Sequence, residues 1–84
     1  MASAKRVLLV DHDAVLRASL AEQLAQEGSY AVAEAGCAAE ARARAKEGGY
    51  DLAIIDQSLP DGAGDALARE LKMQDFGAPV LLLS

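Results

Sequence analysis

A single cysteine, Cys37, leaves no partner for an intrachain disulfide, a C-x-x-C redox pair or a cysteine-built zinc site. Ahead of an alanine-rich stretch, it reads as a small packing residue near a helix start. Such cysteine usage fits a cytoplasmic protein. Basic residues are also scarce: 8 Lys and Arg stand against 13 Asp and Glu, for a net charge of −5. A nucleic-acid-binding surface needs a basic patch that this balance does not supply. The densest basic stretch, Arg42, Arg44 and Lys46, is flanked by Glu40 and Glu47 and reads as a solvated helix face. No apolar run approaches the ~20 residues that span a bilayer. Met1 to Arg6 leads straight into a strand-like run without a signal-peptide apolar region.

The composition of the 84-residue chain is globular, 52% hydrophobic and 25% charged. Its length allows one small domain, expected over residues 1–84, with a marginal core. Within Arg6 to Val10, Val7 to Val10 are continuously apolar after two basic residues, which predicts a strand buried on both faces. Asp13 is placed to cap a helix over residues 14–26, where Leu16, Leu20 and Leu24 recur every four residues and Arg17, Glu22 and Gln26 fall elsewhere on the wheel. Gly28 ends it. Residues 30–35 predict a weaker second strand. Residues 38–47 predict a second helix, because alanine favours helix over strand, and Gly48-Gly49 stops it. A third buried strand covers Leu52 to Asp56, followed by a turn at Ser58 to Gly62. A third helix runs from about Gly64 to Met73, and a fourth strand from Val80 to Ser84.

This βαβαβαβ alternation with short connections predicts an α/β fold: a flavodoxin-like, doubly wound parallel sheet of strand order 2-1-3-4. A chain closing inside its most hydrophobic strand is expected to be an incomplete domain. Its uncovered apolar surface is expected to drive self-association.

In such sheets ligands bind beyond the carboxyl ends of the strands, where the strand order reverses. Asp11, Asp56 and Ser84 stand at three such ends. Neighbouring strands are ~4.8 Å apart, so the three side chains should converge on one crevice. Two carboxylates that close repel unless a proton or a cation separates them. Mg2+ prefers oxygen donors and often combines one or two carboxylates with a phosphate. The pattern therefore points to a phosphate-plus-Mg2+ site in which a carboxylate can act as nucleophile. Alone, either aspartate would read as a cap or turn former, as Asp13 and Asp61 do.

Val7 to Asp13, Tyr50 to Gly64 and Ala78 to Ser84 together resemble the receiver domains of bacterial two-component response regulators, in order and spacing across essentially the whole chain. The resemblance implies a CheY-like fold whose fifth βα unit is missing here. It implies that Asp56 accepts a phosphoryl group from a sensor histidine kinase or phosphotransfer protein. Asp11, Asp56 and the backbone carbonyl of Ser58 would hold Mg2+, and Ser84 would be the switch hydroxyl. Pro60 and Gly64 would shape the loop after the third strand. An effector domain beyond Ser84 would read the output, with no catalytic turnover by the module itself. Two departures stand out. His12 occupies the position of a second metal-binding acid, and imidazole is a poor Mg2+ ligand. The lysine of the family's fifth strand lies beyond this chain's end. Val7 to Asp13 also resembles the first motif of haloacid-dehalogenase-type phosphatases, but that pattern leaves Asp56 and the turn after it without a role.

Overall fold

The computed structural model describes residues 4–83, so the expected switch hydroxyl, Ser84, lies outside the described residues. The elements run β1 (Lys5–Val10), α1 (Ala14–Gln26), β2 (Tyr30–Ala35), α2 (Ala38–Ala45), β3 (Leu52–Asp56), β4 (Ser58–Leu59), β5 (Gly62–Ala63), α3 (Gly64–Met73) and β6 (Val80–Leu83). β1, β2, β3 and β6 form one parallel sheet in the order β2-β1-β3-β6, which is the expected 2-1-3-4 order of the long strands.

The strand sequences follow from their places in that sheet. β1 is flanked by strands on both sides and covered on both faces, so Val7 to Val10 are all buried. Leu8 and Val10 face α2 and α3 in a core with Ala38, Ala41, Ala53, Ile55, Leu67 and Leu71. Tyr50 closes the bottom of this core. Its ring stacks on Phe76 at 5.9 Å, and the Arg6 guanidinium lies 4.4 Å above it. On the opposite face α1 covers the sheet less completely. Leu20 and Leu24 line a groove of about 420 Å³ with Leu9, Ile54, Leu81 and Leu83.

Two expectations change. The leucine stripe of α1 is not a buried face: Ala21 is its one buried residue, and Leu16 is 48% exposed. α1 packs through a small residue, which lets it lie close to the strands and leaves the longer side chains at the margins. α2 stops at Ala45, short of residue 47, and the chain turns through Gly48 and Gly49, both at positive φ. The expected turn at Ser58 to Gly62 forms, at residues 60–61, and its flanks pair as a small hairpin, β4 with β5, joining Ser58 to Ala63 and Leu59 to Gly62. Among the described residues no helix is long and apolar enough to cross a membrane.

Candidate functional site

Strands β1 and β3 are neighbours, and Val10 stands in register with Ile55, so both strands end at the same height. The next residues are Asp11 and Asp56. The Asp11 N–H donates to the Ala35 carbonyl at 3.0 Å, which keeps it tied to the end of the sheet. Its side chain is only 9% exposed, against 21% for Asp56. The two carboxylates and the His12 imidazole each offer one ligand atom, and these atoms lie within 4.8 Å of one another. His12 Nδ1 is 3.5 Å from Asp56 Oδ2 and 3.8 Å from Asp11 Oδ1.

Asp13 is used elsewhere. Its Oδ1 accepts from Leu16 N–H at 3.1 Å, the expected cap of α1, while its own N–H donates to Asp11 Oδ1 at 2.9 Å. It therefore orients the Asp11 carboxylate through its backbone.

Arg17, expected on the solvated side of α1, instead faces the sheet end. Its Nη1 donates to the Asp11 carbonyl at 2.7 Å and its Nε pairs with Glu34 Oε1 at 3.0 Å. A cation near the start of a helix opposes the helix dipole. That placement is the signal in the sequence that Arg17 has a partner beyond its own helix.

On the β3 side, the Ser58 N–H donates to Asp56 Oδ1 at 3.3 Å. The Gln57 N–H bonds the Leu83 carbonyl at 2.8 Å, and Asp56 stands in register with Leu83, so β6 also reaches the site. The loop returns to α3 at Gly64, whose N–H bonds the Gln57 carbonyl at 2.8 Å. A Cβ on Gly64 would collide with the Asp56 carbonyl oxygen and come within 2.8 Å of Gln57 Cα. Glycine is required there by close approach, as expected of the loop-shaping position.

Asp61, at the tip of the hairpin, accepts from Ala38 N–H at 2.7 Å and Ala39 N–H at 3.0 Å, so it caps α2. Those two backbone donors hold its carboxyl below the usual carboxylate range.

The structure thus brings together Asp11, His12 and Asp56, with Ser58 in the adjoining β4. Among the described residues neither carboxylate pairs with a lysine or arginine. Crowded carboxylates without a cationic partner suit a bound dication. The carboxylate oxygens fit Mg2+, and the imidazole does not.

Comparison with known proteins agrees with this geometry. Residues 7–84 match the family model of the response regulator receiver domain. The chain is 38% identical over 79 residues to the two-component response regulator PhoP of Pseudomonas aeruginosa, covering 94% of this chain and 35% of that protein. It spans about a third of the length of the curated relatives it matches. The receiver domain of HemR from Leptospira biflexa superposes with a TM-score of 0.85 at 35% identity, over 93% of this chain and 62% of that one. The response regulator TrrA from Thermotoga maritima, solved in complex with Mg2+ and BeF, gives 0.84 at 35% identity, over 93% and 67%. With the strand order, the paired aspartates and the match along nearly its whole length in agreement, the chain belongs to the response regulator receiver-domain family.

Proposed function

We propose that Asp56 is the residue on which this receiver takes its phosphoryl group, from the phosphohistidine of a sensor kinase or phosphotransfer protein. One observation carries the reading. Asp56 ends β3 beside Asp11, with a side chain open enough to be reached and its Oδ1 steadied by the Ser58 N–H. An Asp56 carboxylate oxygen attacks phosphorus, the P–N bond breaks, and the histidine ring leaves with the electron pair and is then protonated. The step is a single stoichiometric transfer, so the module is an acceptor and not a turnover enzyme.

Asp11, Asp56 and the Ser58 carbonyl would hold Mg2+, the cation in the TrrA complex. When bound, a dication supplies the positive charge that lets two carboxylates and a phosphoryl group share the crevice. His12, which Mg2+ accepts poorly, weakens that binding. Ser84 would offer its hydroxyl to the phosphoryl group. The output is a changed surface, read by an effector domain beyond Ser84 in a cytoplasmic regulator. Leu81, Leu82 and Leu83, 40–51% exposed, would also draw copies of this chain together, which light scattering against concentration checks.

Incubation with a small acyl phosphate and Mg2+, followed by intact mass, tests the assignment. The expected result is an increment of one phosphoryl group that disappears in Asp56→Asn. An adduct that persists in that variant, or no adduct at all, overturns it.

A further inference from the structure

The side chain of His12 is 55% exposed and has open solvent available, yet Nδ1 lies over the crevice between the two aspartates. At 3.5 and 3.8 Å from the nearest carboxylate oxygens it is too far for a good hydrogen bond, which needs about 2.7–3.2 Å. The nitrogen is therefore not committed to either carboxylate. Two donor atoms on one ion at about 2.1 Å each lie at most about 4.2 Å apart. Both separations fall within that limit, so an imidazole nitrogen and a carboxylate oxygen can share one cation without backbone movement. The Asp11 side chain is nine-tenths buried, and among the described residues its carboxylate forms no ion pair with a lysine or arginine, Arg17 reaching only its backbone carbonyl, so it contributes negative charge that a cation would balance.

We infer that Asp11, His12 and Asp56 form a mixed nitrogen–oxygen metal site that prefers a first-row transition dication, with Mn2+ as the test ion, to Mg2+. This deepens the preceding proposal and rests on its placing a dication between the aspartates. The chemistry is ligand matching. Mg2+ is hard and takes oxygen, whereas imidazole suits the later first-row dications best; Mn2+, the weakest binder of that row and the nearest to Mg2+ in its taste for oxygen, still accepts a nitrogen donor more readily than Mg2+ and so is the strictest test. Replacing an acid by His12 removes one negative charge, which weakens binding of every dication. The nitrogen donor restores affinity only to the transition metals. Relative affinity moves away from Mg2+ even where absolute affinity falls.

The experiment uses the full 84-residue chain in mildly alkaline buffer. Mn2+ binding is followed by electron paramagnetic resonance and Mg2+ by competition. The expected wild-type result is a preference for Mn2+ of about tenfold or more, with nitrogen coupling in the spectrum of bound Mn2+. His12→Asp should narrow that preference by about tenfold, through gained Mg2+ affinity. His12→Ala should abolish the nitrogen coupling. Equal preference in wild type and His12→Asp, bound Mn2+ without nitrogen coupling, or no metal binding at all each overturns the inference. Acyl-phosphate labelling of the same samples separates the two proposals. Nitrogen-coupled Mn2+ without a phosphoaspartate sinks the assignment of Asp56 and leaves the metal site standing. A phosphoaspartate formed equally well with Mg2+ whatever stands at position 12 does the reverse.

Discussion

The Asp61 carboxylate accepts the N–H groups of Ala38 and Ala39, 23 and 22 residues earlier in the chain, and so ties the hairpin beside Asp56 to the N-terminus of α2. α2 has no capping bond from its own N-cap residue, Cys37. The cap arrives from the functional loop, so the loop and the helix hold each other in place.

Asp61→Ala should therefore lower the urea midpoint without changing the slope of the transition. The pH dependence has a fixed sign. The two backbone donors depress the folded-state value, so the contribution of Asp61 is present above the ordinary carboxylate range. It is lost as pH falls through the depressed value. Denaturation of wild type and Asp61→Asn between pH 2 and pH 6 reads this, as order-of-magnitude limits around a free carboxyl value of about 4. The two curves should converge toward the acid end. A constant offset across the range would mean the charge of Asp61 is not what caps the helix.

Gly64→Ala is expected to cost about 1–3 kcal/mol, because the new methyl group meets backbone and not a flexible side chain. The displaced atoms belong to Asp56 and Gln57. Labelling of Asp56 by acyl phosphate should slow in the same variant under conditions where circular dichroism shows it folded. Wild-type stability and wild-type labelling together would show that the close approach of Gly64 does not position the loop.

What the sequence makes legible here is what short-range pattern controls. The apolar runs ending in Asp11 and Asp56 mark two buried strands and their carboxyl ends, and alternation with helices then makes them neighbours. Asp13 is legible as a cap because its partner, Leu16, is three residues away. Asp61 is recognisable as a cap or turn former, but not as the cap of α2, since that bond depends on how the hairpin folds back. Arg17 was hidden for the same reason: its partners, Asp11 and Glu34, are assembled by the sheet. The leucine repeat of α1 misleads because periodicity reports which residues share a face, not how much of that face a neighbour covers. The aim of His12 Nδ1 into the crevice is a rotamer, and no spacing rule encodes it.

Arg17 also carries a prediction. Its guanidinium joins α1, the end of β1 and β2 through one carbonyl and one carboxylate. Arg17→Ala should destabilise the chain by about 1–3 kcal/mol, the range for hydrogen bonds to charged groups. Arg17→Lys should recover only part of this, since an ammonium lacks the fork that reaches two acceptors in fixed geometry. Because one acceptor is the Asp11 carbonyl, Mn2+ affinity should fall about tenfold in both variants. Urea denaturation and the metal titration check the two effects separately. Full rescue of both by lysine would reduce the role of Arg17 to its charge.

Tyr50 supplies a test at the opposite end of the pH scale. Burial beneath α2 and α3, then the hydrogen bond its hydroxyl donates to Glu47 at 3.1 Å, hold the phenol above its usual value. A folded-state value above the unfolded one means the folded chain binds the proton more tightly. The resulting stability is fully present below the unfolded value of about 10 and is lost as pH rises through the folded one. The urea midpoint of the wild type should thus drop between about pH 10 and pH 12 more steeply than that of Tyr50→Phe. The phenylalanine ring keeps the stack on Phe76 and the contact with Arg6, so the comparison isolates the hydroxyl. Parallel alkaline limbs in the two proteins would show that Tyr50 ionises as freely in the fold as outside it.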